Sequence, residues 1–178
     1  MKNNIFIMAL AFLFLGISIR SEGKIEQNKE FLQRAIEFHG HLGPYLVLGL
    51  RAGLYANQVL GRDPMKTEAF IQTKTTPPES CFVDGVQLST GCTLGKGNIS
   101  LQEGEGLQVT FKKNSQEITL QLKKEIIEEM DSLPSEEKAW EDLAKDLYQR
   151  EIDKIFEIIE KRKKTEFFSS QGLVSRKI

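Results

Sequence analysis

Histidine and cysteine are scarce in this 178-residue chain, with two of each, and there is a single tryptophan. So few cysteines exclude a disulfide-stapled scaffold and leave no room for paired CxxC zinc modules. Neither sign of charge prevails: 24 Lys and Arg stand against 25 Asp and Glu, a formal net charge of -1. With no cationic excess and no basic stripe interleaved with aromatics, a nucleic-acid partner is excluded, because neutralising phosphates demands both. No internal repeat, low-complexity tract, Ser-His-Asp ordering or paired-carboxylate motif occurs, so hydrolase templates gain nothing. A full membrane span is missing too. The longest apolar run, Ile5 to Ile19 between Lys2 and Arg20, is shorter than the ~20 residues a comfortable span needs. It suits the core of a signal peptide or an N-terminal anchor. Residues 1–23 are therefore set apart from the fold, with export or membrane anchoring expected and a cytoplasmic location as the alternative.

What is present supports one domain. Hydrophobic content of 40% and charged content of 28% are ordinary for a globular chain long enough to bury a core. The domain is expected over residues 24–164, with a flexible tail over 165–178. An amphipathic helix is predicted from Ile25 to Phe38, ending at His39-Gly40-His41-Leu42-Gly43-Pro44, where Gly and Pro break it. A second helix, Tyr45 to Leu60, is almost wholly apolar, and Gly49 and Gly53 mark a close backbone approach, so it reads as buried. Thr67 to Thr75 reads as a short strand and Cys81 to Thr90 as a short helix. A glycine-rich loop follows over residues 91–98. Ile99 to Gln102, Leu107 to Lys112 and Ile118 to Leu122 then read as antiparallel strands. From Trp140 to Ile159 the apolar spacing predicts one long amphipathic helix, started near Pro134 and complemented by Lys161 to Lys164 at its negative end. The fold class expected is α+β, an antiparallel sheet packed with helices.

The reactive residues cluster. Both histidines and both cysteines fall in two glycine-bounded segments, His39-Gly40-His41 and Cys81 to Cys92. A glycine between two histidines lets both imidazoles turn toward one point, and two imidazoles with two thiolates would fill a tetrahedral zinc site. The alternative has the histidines bonded to carbonyls and the thiols buried as small hydrophobes; in an oxidising compartment the two thiols could also pair. The loop from Thr90 to Asn98 is no nucleotide-binding loop, because its glycines are too close and Gly97 stands where Ser or Thr would reach Mg²⁺. It could still form an anion-binding nest with Lys96, lowering the pKa of Cys92 and making it a nucleophile with His41 as base. A plain structural turn is the competing reading. Asp84, one turn from Gln87, could orient an imidazole or equally sit on the helix surface.

These residues carry a resemblance. His39-Gly40-His41-Leu42-Gly43-Pro44 with the glycine-spaced helix after it, and Cys81-Phe82-Val83-Asp84-Gly85-Val86-Gln87 through Thr90-Gly91-Cys92-Thr93-Leu94-Gly95-Lys96-Gly97-Asn98, resemble the two signatures of the FmdE family, a domain associated with formylmethanofuran dehydrogenase. The match spans roughly residues 25 to 160. It implies an α+β domain, commonly dimeric, with both blocks converging on a cleft. By position that cleft would hold His39, His41, Cys81, Asp84, Gln87, Thr90, Cys92 and Lys96. Metal ligands would be His39, His41, Cys81 and Cys92, with zinc the expected ion; Cys92, Lys96 and Asp84 would be catalytic, and Gln87 and Thr90 would bind a cofactor. The ligand expected is a small molecule or an anion. Two departures stand out: Gly43 replaces the thiol usual in the first motif, and the paired-CxxC ribbon of many relatives is missing. The implied function is a metal- or anion-binding protein, a redox enzyme or accessory factor. The alternative is a non-catalytic ligand-binding or interaction protein that has lost the thiol at position 43.

Overall fold

The structure, a computed structural model, describes residues 29–162. The leader or anchor expected over residues 1–23 and the tail expected over 165–178 lie outside the described residues. Helix α1 covers residues 29–39 and α2 covers Pro44–Leu60. Strand β1 (Glu68–Gln72) leads through a 3-10 turn at Glu79–Cys81 into α3 (Phe82–Thr90). A second 3-10 turn, Leu94–Lys96, precedes β2 (Ile99–Gln102), β3 (Gln108–Lys113) and β4 (Gln116–Leu122). Helices α4 (Lys124–Asp131), α5 (Glu137–Gln149) and α6 (Ile152–Ile155) come next, and β5 (Phe156–Arg162) closes the sheet. Among the described residues no helix is long and apolar enough to cross a membrane.

The fold is α+β, as the sequence suggests, around one five-stranded sheet in the order β2-β1-β3-β4-β5. Alternation decides its inner face. In β1, Ala69 and Ile71 are buried while Glu68, Phe70 and Gln72 are exposed, as side chains on successive residues must be. Ala69 pairs with Ile99 on one side and Phe111 on the other, and Phe111 with Ile118, so the apolar row continues across strands.

Helix α2 is the axis of the helical layer. Gly43 stands extended before it and Pro44 opens it, a position where a preset φ helps and a missing N–H costs nothing. Its apolar sequence fits its burial, with Leu46, Val47, Leu48, Leu50 and Ala52 wholly inaccessible. Packing against α3 is close enough to need glycine on both sides. A Cβ on Gly49 would fall on the Phe82 carbonyl oxygen, and one on Gly85 would fall on that of Leu46. This contact sets the start of α3 beside the start of α2, which creates the site.

Two expectations require correction, and one element appears where none was expected. Strand β2 pairs in parallel with β1 instead of antiparallel with β3. The connection after it crosses the end of β1, where Gly104 N donates to the Thr73 carbonyl at 3.2 Å, and so places β1 between them. The single long C-terminal helix is in fact two helices and a strand. At Arg150 the backbone turns extended (φ -62, ψ 143). Its carbonyl accepts from Arg51 Nη2 at 2.5 Å instead of continuing the helix, and its guanidinium grips Glu129 at 2.8 and 3.0 Å. Beyond it, Phe156 to Ile159 alternate across β5, which pairs with β4; strand pairing supplies the backbone bonds that helical spacing seemed to promise. Finally, α4 occupies a stretch with no element assigned from sequence, burying Ile126 and Met130.

Candidate functional site

The site grows from the corner between α1 and α2. Gly40 adopts φ +100, a conformation that glycine takes without Cβ strain, and its N–H closes α1 on the Ile36 carbonyl at 2.7 Å. The chain thereby turns between the two histidines. Their ring centroids lie 4.8 Å apart, tilted by 36°. His39 is 9% exposed at its side chain, whereas His41 is exposed.

Helix α3 supplies the partner. Asp84, in its first turn, places Oδ2 2.7 Å from His39 Nδ1. A carboxylate accepts, so Nδ1 carries a proton, and in the neutral tautomer Nε2 then holds the lone pair. That Nε2 is buried and has no hydrogen-bond partner among the described residues. Gln87 steadies the far side of the carboxylate, its Nε2 donating to Asp84 Oδ1 at 3.5 Å while its Oε1 accepts from Leu94 N at 3.2 Å.

Next to the histidines lies a cavity of about 200 Å³ lined by His39, His41, Cys81 and an apolar wall that includes Leu42, Pro44, Tyr45, Pro78 and Trp140. Burial pushes the Cys81 thiol up, and the Asp84 carboxylate adds to the effect, so this cysteine is held as a thiol. Tyr45 is raised to about 12 by burial first and then by Glu79 and Asp131; its phenol stays protonated.

The second cysteine is elsewhere. Cys92 is wholly buried in the core, with its Sγ–H directed at the Thr67 carbonyl at 3.3 Å. Burial raises its pKa as well, against the lowering expected for a loop nucleophile. Both cysteines are free. The glycine-rich loop spends these N–H groups locally: Cys92 N on Thr90 Oγ1, Thr93 N on Asn98 Oδ1, Lys96 N on the Thr93 carbonyl and Gly97 N on that of Leu94. Lys96 bends back onto the Gly91 carbonyl, and Thr90 also donates to the Val86 carbonyl at 2.7 Å. Of the eight residues assigned to one cleft, the structure brings His39, His41, Cys81, Asp84 and Gln87 into one neighbourhood. Thr90, Cys92 and Lys96 serve the turn beyond α3.

The four-ligand zinc set is therefore not assembled. Among the described residues no group of three or more His, Cys, Asp or Glu is disposed to hold a metal ion. The donors fit a closed tetrahedral site poorly, because Cys92 belongs to the core.

Tyr45, Pro78, Glu137 and Trp140 line the cavity and were not among the site residues read from sequence. Trp140 and Glu137 open α5, and only the packing of α5 on α2 brings them here; the sequence offers helix signals for both and nothing that directs them to the histidines.

Known proteins match at three levels. The family model for FmdE, described by the molybdenum formylmethanofuran dehydrogenase operon, matches residues 38–169. A probable S-adenosyl-L-methionine-binding protein of Archaeoglobus fulgidus is 40% identical over 70 residues, 38% of this chain. That match takes in 19% of the relative, so the chain aligns with about a fifth of its length. The crystal structure of an FmdE-like protein of the tungsten formylmethanofuran dehydrogenase type, from Syntrophus aciditrophicus, shares the fold, with TM-score 0.54 and 22% identity over 81% of this chain and 77% of that one.

Proposed function

The chain belongs to the FmdE family, and from that premise we propose that it binds a small molecule at His39 in the cavity where α1, α2 and α5 meet. One observation carries the reading: an imidazole about nine-tenths buried is fixed at Nδ1 by Asp84 while its Nε2 meets no partner among the described residues. An unmet buried polar atom costs about 1–3 kcal/mol, and a ligand donor reaching Nε2 removes that cost. Asp84 is a positioning residue, because it acts through the ring. His41 and the Cys81 thiol offer further polar contacts to whatever enters. The position of Gly43 agrees with a binding role. A side chain there would begin 3.2 Å from His41 Nε2, so its absence leaves that imidazole open in place of supplying a thiol.

The family's setting, a molybdenum enzyme operon, invites a metal or redox reading, and zinc is the ion the donor types favour. Because His39, His41 and Cys81 do not converge as a ligand set among the described residues, the proposal assigns no step to a metal. The ligand named for the Archaeoglobus relative, S-adenosyl-L-methionine, is not carried over, because the match takes in 19% of that relative.

Two measurements on the full chain test the proposal. After dialysis against zinc under reducing conditions, wild type and His39→Ala should retain the same low, substoichiometric metal. With a saturating single-ring probe such as benzyl alcohol, the ¹⁵N resonance of His39 Nε2 should move. Near-stoichiometric zinc that His39→Ala releases would replace this reading with a metal site. An unmoved Nε2 resonance would remove the small-molecule site.

A further inference from the structure

Resting on that reading, we infer the class of ligand: a single-ring molecule, neutral or positively charged, that brings an N–H or O–H donor to His39 Nε2. Size sets the first limit. A dry cavity of about 150 Å³ takes benzene, so about 200 Å³ accommodates one ring with a short substituent.

The walls set the second. Leu42, Pro44 and Pro78 are aliphatic, and Trp140 presents ring surface rather than a donor because its Nε1–H is bonded to the Pro134 carbonyl at 3.0 Å. A flat apolar body gains most there.

Charge sets the third. Among the described residues Glu137 is the one carboxylate on the lining, and Asp84 stands directly behind His39. No lysine or arginine among them lines the cavity, and Lys96 is turned onto Gly91. A carboxylate or phosphate entering would lose water and meet Glu137 with no lysine or arginine on the lining to offset it, which is unfavourable. An ammonium would meet the carboxylate of Glu137 and aromatic faces that attract cations.

The polar head follows from the tautomer. With Nδ1–H donated to Asp84, Nε2 of the neutral tautomer accepts, and the matching ligand group is a donor.

Trp140 is the chain's only tryptophan, so its emission reports the cavity alone. Four probes of similar shape separate the claims: benzylamine, benzyl alcohol, toluene and benzoate, titrated near neutral pH. Benzylamine should bind at least tenfold more tightly than benzoate, and benzyl alcohol several-fold more tightly than toluene. Glu137→Gln should bring benzylamine down toward the level of benzyl alcohol, with a loss for benzylamine several-fold larger than any change for benzyl alcohol. Benzoate binding as tightly as benzylamine overturns the charge selection, and toluene equal to benzyl alcohol overturns the donor requirement. In both cases the cavity survives as a site. If no ring alters Trp140 emission and His39 Nε2 stays unmoved, the inference and the proposed function fall together.

Discussion

Two glycine-bounded segments of this chain hold both its histidines and one of its two cysteines, and they have opposite fates. At residues 39–44 the turn leaves an imidazole nitrogen buried and without a partner among the described residues, on a histidine that lines a cavity. At residues 91–98 the loop bonds its N–H groups to Thr90, Asn98, Gln87 and its own carbonyls, and buries its thiol. Reactive residue types at suggestive spacing are common to both. What separates them is hydrogen-bond accounting: a structural turn satisfies its polar groups, whereas a binding site leaves one for its guest.

The largest way to break the comparison is to remove the platform both segments share. Gly85→Val drives a branched side chain into the backbone of α2. Overpacking of this kind costs about 1–3 kcal/mol, or more where backbone is the obstacle. Urea denaturation should show a loss at the top of that range or above it. A variant as stable as wild type would mean that α2 and α3 do not pack this closely.

The cysteines sharpen the contrast next. Cys92→Ser puts a hydroxyl into a buried apolar setting and should cost about 1–3 kcal/mol, leaving benzyl alcohol binding unchanged. Cys81→Ser should cost less than about 1 kcal/mol and weaken that binding. In the native protein a thiol reagent should modify Cys81 and spare Cys92 until the chain unfolds. Rapid labelling of native Cys92 would contradict its core position.

How far the sequence carried differs by region for the same reason. The buried helix over Tyr45 to Leu60 was legible because its apolar run and small-residue spacing have one stable solution. The curl between His39 and His41 was legible because glycine there permits it. Cys92, read as a ligand or nucleophile, lies in the core, and nothing local in the sequence distinguishes a thiol facing a cleft from one facing the core. The segment from Arg150 onward was misjudged because Ile155, Phe156 and Ile159 fit helical spacing, while pairing with β4 and the capture of the Arg150 carbonyl by Arg51 decide the backbone. Trp140 and Glu137 could not be assigned to the cavity, since their arrival depends on the docking of α5.

A smaller effect concerns the orienting carboxylate. Asp84→Asn keeps the shape but offers His39 an amide in place of a carboxylate, and should cost up to about 1 kcal/mol in stability. It should also weaken benzylamine binding several-fold, because Nε2 is then no longer fixed as the acceptor. Unchanged binding would show that the ring needs no orientation.

The smallest effect lies at the far end of α5, which carries the cavity's outer wall. The hydrogen bond and charge of Arg150 hold the Glu129 carboxyl below its ordinary range. A lowered folded pKa means stability that is present above the unfolded value near pH 4 and is lost as pH falls through the lower folded value. Because the pair is partly exposed, the contribution should stay below about 1 kcal/mol. Wild type should lose more stability than Glu129→Gln on acidification below about pH 5. Parallel curves would show that the pair adds nothing.

The most direct test sets the two segments side by side in one spectrum. Amide chemical shifts recorded while benzylamine is added should move at residues 39–46, 81–84 and 137–140 and stay fixed at 91–98. Movement centred on the glycine-rich loop, with the His39 neighbourhood still, would contradict the account.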